Sequence, residues 1–221
     1  MRLTGLLMVD RRTRPTDLGQ LQTLNEREIA DREAENGLLQ FDQMLRLIDQ
    51  AIASGQPPLT PAVILEFQRL AVEGLEPVAG QFRTSSISID GTNHIPPPWA
   101  EVGDLVDEMC EYVSLHWDET AAIHLSAYVM WRLNWIHPFT NGNGRTSRVA
   151  SYLVLCAALG MNLPGDHAVP EIIDEDKQDY YDALDQADAK WLDQVLDVTA
   201  MERVIEAALT VQLAAASESV P

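Results

Sequence analysis

One short segment of the chain concentrates residues that could bind phosphate. Residues 137–148 read His-Pro-Phe-Thr-Asn-Gly-Asn-Gly-Arg-Thr-Ser-Arg and lie between two strongly apolar stretches. Gly142 and Gly144 permit backbone conformations with positive φ, so consecutive N–H groups can converge where a helix begins. Arg145 and Arg148 are three residues apart, which places both guanidinium groups on one side of the helix's first turn. The pattern predicts an anion site suited to a polyphosphate.

His137 stands beside this predicted anion site, directly before a proline that fixes the turn. The unperturbed pKa of an imidazole is about 6.5, so a neutral histidine could take the proton from a hydroxyl that attacks phosphorus. Asn143 carries an amide that could fix the loop or donate to a phosphate oxygen. The alternative interpretation is structural, with His137 capping a helix end and the glycines forming a tight interhelical turn.

The charge of the chain limits its partners. It contains 15 Lys and Arg residues against 34 Asp and Glu residues, which gives a formal net charge of -19. Such an acidic protein is not expected to bind nucleic acid. A nucleotide ligand would need a local positive cluster, and the two arginines of residues 137–148 provide one.

Length and cysteine content predict one globular, intracellular unit. The 221 residues are 46% hydrophobic, which is enough to bury a large core. Only Cys110 and Cys156 are present, both in apolar stretches, so we expect a reducing compartment. The N-terminus lacks a signal-peptide pattern, and the longest apolar stretches fall short of the about 20 residues that span a bilayer. These features predict a cytoplasmic protein without a membrane partner.

The elements around the predicted anion site are mainly helical. Apolar residues recur at helical spacing in several stretches, which are separated by glycine and proline. We expect helices over residues 38–52, 60–74, 99–116, 119–135, 145–159, 177–184 and 191–214.

One stretch departs from this helical pattern. Ile87 and Ile89 alternate with serines, and the pair Asp90-Gly91 offers a two-residue turn before a second short strand at residues 92–95. The pattern predicts a lone β-hairpin, although a long loop is the alternative. The predicted fold class is therefore all-α, a helical bundle with one β-hairpin on its surface.

The segment 137–148 resembles the signature of the Fic (filamentation induced by cAMP) domain family, His-Pro-Phe-x-x-Gly-Asn-Gly-Arg-x-x-Arg. The resemblance extends to Phe82-Arg83 with the predicted hairpin, which is similar to the family's flap, and to the segment Tyr180-Tyr181-Asp182-Ala183-Leu184. It implies three regions: an N-terminal extension over 1–29, a Fic-like domain over 30–200 with its flap at about 82–95, and a C-terminal helix and tail over 201–221.

Fic domains are mainly adenylyltransferases, which move AMP from ATP to a protein hydroxyl with Mg²⁺. The resemblance implies that His137 is the general base and that Arg148 reaches the terminal phosphate. The residues implied to bind the nucleotide phosphates are Gly142, Asn143, Gly144, Arg145 and Arg148. The target protein would dock in extended form along the flap and present a Ser, Thr or Tyr hydroxyl. The residues implied for that docking are Ile87, Ser88, Ile89, Asp90 and Gly91.

Asn141 departs from the family pattern, which usually has Asp or Glu at this position as a Mg²⁺ ligand. An amide oxygen can coordinate Mg²⁺ but adds no negative charge. Slower transfer, another nucleotide or a site that binds without turnover would each be consistent with Asn141. The rivals to adenylyl transfer are a non-catalytic nucleotide-binding module of the toxin-antitoxin type and a Fic variant that handles another phosphate-containing group.

A second feature concerns regulation. Many Fic proteins carry an inhibitory helix in which a glutamate pairs with the second motif arginine. The nearest match here is the segment 31–36, whose Glu35 would form a bidentate pair with Arg148. The alternative is an exposed acidic turn of a helix. A homodimer is left open by the sequence.

Overall fold

The computed structural model of the chain describes residues 13–15, 24–165 and 167–218. These residues form two short strands, one 3₁₀ turn and eight α-helices. The strands are β1 (Thr13–Pro15) and β2 (Ile87–Ile89), and the 3₁₀ turn is Trp99–Glu101. The helices are α1 (Glu26–Ser54), α2 (Pro61–Val72), α3 (Val102–Leu115), α4 (Ala122–Ile136), α5 (Asn143–Leu159), α6 (Val169–Glu175), α7 (Gln178–Trp191) and α8 (Thr199–Glu218).

The predicted helical architecture is confirmed, and local signals explain where the first helices begin and end. Asn25 and Glu28 form a capping box at the start of α1, and Gly55 ends that helix with a φ of 67°. The Thr60 side chain accepts a hydrogen bond from Val63 N, while Pro61 occupies the first position of α2. The helix α6 is an addition that the sequence pattern did not predict.

Helices α4 and α5 form the centre of the bundle. They pack against each other, α5 also contacts α1 and α2, and α4 also contacts α3, α7 and α8. Both are buried around most of their circumference, as expected for central helices. The loop that connects them therefore has both ends anchored in the core, with Phe139 fully buried in its middle. This loop carries the predicted site.

The predicted β-hairpin is not formed. Strand β2 exists and Gly91 has the positive φ of a turn, 74°, but residues 92–95 pair with no described strand. Instead, His94 turns toward the bundle, where its ring contacts the carbonyl oxygen of Trp135 at 2.8 Å and a carboxylate oxygen of Asp188 at 3.3 Å. The three prolines that follow have no N–H to donate to a ladder.

The partner of β2 is β1, which pairs with it in antiparallel orientation. The two-stranded sheet therefore joins segments that are more than 70 residues apart in the chain. Of the predicted N-terminal extension over 1–29, residues 1–12 and 16–23 lie outside the described residues. Across the described part of the chain, every helix is too short or too polar to cross a membrane.

Candidate active site

His137 ends α4 in a left-handed backbone conformation. Its φ and ψ are 49° and 61°, and its N–H donates to the carbonyl oxygen of Leu133 at 3.0 Å. A non-glycine residue in this region is uncommon and costs on the order of 1–3 kcal/mol, so the surrounding structure must hold it there. The turn directs the chain from the core helix into the loop that precedes α5.

Arg83 supplies much of that support. Its buried guanidinium donates from Nε to the carbonyl oxygen of His137 at 2.8 Å and from Nη2 to those of Pro97 and Ile136 at 2.6 and 3.3 Å. Its backbone N–H donates to Pro138 O at 2.9 Å. Burial lowers the pKa of Arg83, and backbone carbonyl oxygens take the place of water around its charge. The sequence did not predict that Arg83 supports the backbone of His137.

The imidazole of His137 is set up to accept a proton at Nε2. Its Nδ1 lies 3.1 Å from the carbonyl oxygen of Asn134, which can only accept, so Nδ1 carries the hydrogen. Burial lowers the pKa of His137 to about 3, and the nearby charges of His94 and Arg83 act in the same direction. The ring is therefore neutral at physiological pH. Nε2 lies 2.8 Å from Oγ1 of Thr13.

Asn143 fixes the shape of the loop. Its side-chain Oδ1 accepts from the N–H of Phe139 at 3.0 Å, and its Nδ2 donates to the carbonyl oxygen of the same residue at 2.8 Å. Of the two roles that the sequence left open for Asn143, the structure shows the fixing of the loop. The same Nδ2 lies 3.4 Å from Oγ1 of Thr13.

Gly142 forms the N-cap of α5 with a φ of 81°. A Cβ atom at this position would lie 2.8 Å from Cγ1 of Val72, so space as well as conformation requires glycine. Helix α2 also holds the loop through Gln68, whose Nε2 donates to Asn141 O at 3.1 Å and whose Oε1 accepts from Gly80 N at 2.6 Å. The close approach of α2 fixes where α5 begins.

The start of α5 has the properties of an anion site. The N–H groups of Asn143, Gly144 and Arg145 have no intrahelical carbonyl to bond, because they belong to the first turn. The positive end of the helix dipole adds to their attraction for an anion. Gly144 keeps this turn open, since a Cβ atom there would lie 3.3 Å from Nη1 of Arg148.

Arg148 lies on the second turn of α5, with its guanidinium beside Gly144, and is nearly buried, but it is already paired. Its Nη2 lies 2.5 Å from Oδ1 of Asp174 in α6, and Lys177 Nζ lies 3.1 Å from the same oxygen. The side chain of Asp174 is 49% exposed, so solvent reaches the outer side of this pair. Sequence reasoning did not identify Asp174.

The expected pair between Glu35 and Arg148 is not formed. Glu35 is 65% exposed and lies 3.5 Å from Arg32 on the same helix, while Arg148 is held by Asp174. Of the two interpretations that the sequence left open for Glu35, the structure therefore shows the exposed acidic turn, with a local ion pair on the surface of α1.

A different glutamate of α1 faces the site. Glu33 lies 3.4 Å from Arg145, whose Nη1 also donates to the carbonyl oxygen of Ala71 at 2.9 Å. Glu33 shares a helix face with buried Asn36 and Gln40, three and seven residues later. Residues two apart on a helix point roughly 200° apart, so Glu33 and Glu35 cannot both face α5. Burial lowers the pKa of Arg145, and Glu33 opposes that shift.

Asn141 has a carboxylate neighbour that the sequence did not indicate. Its Nδ2 donates to Oε1 of Glu76 at 2.8 Å, and its Oδ1 accepts from Gly142 N at 2.7 Å. Among the described residues, no three His, Cys, Asp or Glu side chains cluster closely enough to hold a metal ion. One carboxylate and one amide fit a Mg²⁺ ion that takes its other ligands from water and nucleotide phosphates.

The flap residues Ile87, Ser88 and Ile89 form β2, which is paired with β1. Thr13 is opposite Ile89, Arg14 is opposite Ser88 and Pro15 is opposite Ile87. Asp90 and Gly91 form the turn that follows. The edge predicted to receive a target peptide is thus paired with a segment of the same chain, and this pairing brings the Thr13 hydroxyl to His137.

The structure brings together a left-handed histidine at a helix end, a glycine turn and two arginines near the start of the next helix. Residues 58–155 match the Fic/DOC family. Solved structures agree with this fold. A Fic family protein from Desulfovibrio desulfuricans G20 aligns with a TM-score of 0.62 at 20% identity, over 89% of this chain and 55% of that one. Fic-1 from C. elegans aligns with a TM-score of 0.61 at 23% identity, over 91% and 56%.

Curated relatives are similar in sequence over the same region. The protein adenylyltransferase Fic of Nematostella vectensis is 28% identical over 155 residues, which cover 69% of this chain and 34% of that protein. The corresponding protein of Culex quinquefasciatus is 30% identical over 131 residues, which cover 57% and 25%. The chain therefore spans between a quarter and about a third of the length of these relatives.

Proposed function

We propose that this chain is a protein adenylyltransferase that moves AMP from ATP to a hydroxyl of a target protein. The observation that carries the proposal is the state of His137, which is neutral, oriented through Nδ1 by Asn134 O, and in contact with a hydroxyl at Nε2. A base in this geometry can remove a proton from an attacking hydroxyl. The names of the curated relatives support the same reaction.

The nucleotide phosphates would bind at the start of α5. The first-turn N–H groups of residues 143–145 would donate to phosphate oxygens, and Arg145 would add charge beside them. Arg148 would bind the terminal phosphate after release from Asp174. The Gly142 turn would position this set of donors before the nucleotide arrives, so little reorganisation would accompany the reaction.

Glu76 and Asn141 would hold Mg²⁺ together with the phosphates. The bound ion would supply charge neutralisation on the polyphosphate. The chain's own residues would do the rest. His137 would accept the proton of the attacking hydroxyl at Nε2, and the N–H groups at the start of α5 would stabilise the charge that develops on the phosphate oxygens.

The target protein would dock on β2 as an added strand. The proposed contacts are main-chain hydrogen bonds along the flap residues Ile87, Ser88 and Ile89, with Asp90 and Gly91 at the turn. The pairing of β1 with β2 supports this mode, because it shows that the flap edge accepts an extended segment whose side chain reaches His137. A target would replace β1 at this edge.

The test is transfer of label from ATP. The full chain is incubated with Mg²⁺, ATP labelled at the α-phosphate and a cell lysate, and labelled proteins are separated on a gel. We expect labelled protein bands that weaken by about 10²–10⁴-fold with His137→Ala. Arg46→Ala, a substitution of an exposed arginine on α1, serves as the control and should leave the bands unchanged.

Three results would contradict the proposal. Equal labelling by the His137→Ala variant would remove the assigned base. Labelling by ATP that carries its label at the γ-phosphate, without labelling by ATP that carries it at the α-phosphate, would indicate phosphate transfer. Binding of ATP in calorimetry without transfer onto any protein would identify a non-catalytic nucleotide-binding module.

A further inference from the structure

The site already contains a hydroxyl in the position of an acceptor. Oγ1 of Thr13 lies 2.8 Å from Nε2 of His137 and 3.4 Å from Nδ2 of Asn143. Since Nδ1 of His137 carries the ring hydrogen, Nε2 can only accept, and the Thr13 hydroxyl is therefore the donor. This is the hydrogen bond that a nucleophile forms with its general base before transfer.

Two independent sets of contacts place Thr13 there. The first is the β1–β2 ladder, which fixes Thr13 opposite Ile89 and so sets the distance of its side chain from the bundle. The second is the rigid loop around His137, which Arg83 and Asn143 hold through backbone hydrogen bonds. The contact between Thr13 and His137 therefore follows from main-chain register and is not a chance meeting of two surface side chains.

We propose that Thr13 is the acceptor of an intramolecular adenylylation by this chain. The inference rests on the proposed adenylyltransferase function and names a substrate for it. ATP is the co-reactant. A bond forms between Oγ1 of Thr13 and the α-phosphorus, and the bond from that phosphorus to the bridging oxygen of the β-phosphate breaks. The Thr13 proton passes to Nε2 of His137, and pyrophosphate leaves with the electron pair.

In this proposal the same edge of β2 binds two acceptors in turn, first β1 with Thr13 and then a target peptide. While β1 covers β2, a target peptide cannot pair with the same edge, because each strand edge has one set of N–H and C=O groups. Modification of Thr13 would consume the chain's own acceptor in one turnover. The bulky AMP group would then have to leave the space beside His137 before another hydroxyl could enter, so β1 would be displaced from β2.

The experiment measures where AMP is attached after incubation of the full chain with ATP and Mg²⁺ alone. Intact mass spectrometry counts the added groups, and peptide mapping locates them. We expect one AMP on Thr13. The Thr13→Val variant keeps the shape and strand preference of the residue but lacks the hydroxyl, so it should lose the modification. Thr13→Ser should restore it, Thr16→Ala is the matched control that should retain it, and His137→Ala should slow it by about 10²–10⁴-fold.

A mixing experiment tests whether the transfer is intramolecular. His137→Ala chains supply Thr13 without a base, and Thr13→Val chains supply the base without an acceptor. We expect no AMP on Thr13 in the mixture, and a first-order rate for the wild-type chain that does not depend on protein concentration. Modified Thr13 in the mixture would show transfer between chains and overturn the intramolecular assignment.

The remaining outcomes separate this inference from the proposed function. If lysate proteins take up label while the chain itself carries no AMP, the inference fails and the transferase function stands. If AMP maps to another residue and persists in Thr13→Val, the inference also fails. If neither the chain nor any lysate protein is labelled, both proposals are overturned.

Discussion

The close contact between α2 and the turn before α5 leads to a test of what holds this loop in place. The substitution is Gly142→Ala, which adds one methyl group at a φ of 81° and 2.8 Å from Cγ1 of Val72. Two costs should add. The left-handed conformation costs alanine about 1–2 kcal/mol, and forcing a methyl into a packed core costs about 1–3 kcal/mol. We therefore expect a loss of about 2–5 kcal/mol in the free energy of unfolding.

Two other glycines calibrate the separate costs. Gly55 has a φ of 67° with no atom within 4 Å of an added Cβ, so Gly55→Ala should show the conformational cost alone, about 1–2 kcal/mol. Gly37 lies inside α1 with open space around it and without a positive φ. Gly37→Ala should therefore stabilise the protein by about 0.5–1 kcal/mol.

The assay is urea unfolding of each variant, followed by calorimetry with ATP. Gly142→Ala is also measured in a Val72→Ala background, which removes the methyl group that the new Cβ would meet. There its cost should fall to that of Gly55→Ala, with a coupling of about 1–3 kcal/mol between the two positions. The reasoning is refuted if Gly142→Ala costs no more than Gly55→Ala, or if its extra cost persists without Val72 Cγ1.

Two further predictions concern the support of His137 and its protonation state. Arg83→Lys keeps the charge but loses the guanidinium that donates to the carbonyl oxygens of Ile136, His137 and Pro97, so the free energy of unfolding should fall by about 2 kcal/mol or more. The exposed control Arg46→Lys should change the free energy of unfolding by less than about 0.5 kcal/mol. Equally small changes in both variants would contradict the supporting role of Arg83. The pKa of His137 is lowered to about 3 in the folded chain, against about 6.5 in the unfolded chain. The contribution of the neutral ring to the free energy of unfolding is therefore present above pH 6.5 and is lost as the pH falls toward 3. Between pH 7 and pH 5, urea unfolding of the wild type should lose about 2 kcal/mol more than that of His137→Gln, and parallel losses would contradict a buried neutral ring.

The sequence predicted the central helices and the loop between α4 and α5 because both depend on local chemistry. It missed the first turns of α1, which begins at Glu26 and not at residue 38, and the last turns of α7, which ends at Trp191 and not at residue 184. Apolar periodicity and capping residues determine where α1 and α2 begin, and the glycines before α5 determine its N-terminal turn. These signals operate within a few residues of one another. The sequence alone therefore predicts that His137 and Arg148 lie near a common point.

The contacts that complete the site are long-range and had no local signal. Four residues from different parts of the chain contact the loop or the start of α5: Thr13, Glu33, Glu76 and Asp174. The choice of Glu33 over Glu35 depends on the rotation of α1 about its axis, which is set by how Asn36 and Gln40 pack against α2. The hairpin prediction failed for the same reason, because the sequence of residues 84–95 cannot show that another strand takes the edge of β2.

The ion pairs around the proposed nucleotide site balance the charge of Arg148. Buried Arg148 would be costly to hold alone, and Asp174 compensates its charge. Because Asp174 is half exposed, separating this pair exposes the carboxylate to water that already reaches it, which keeps the cost of the exchange low. Lys177 remains beside Asp174 to balance its charge after release. In the proposed function, a polyphosphate would replace one carboxylate at Arg148 without leaving either charge uncompensated, and α6, which carries Asp174, would have to move for it to bind.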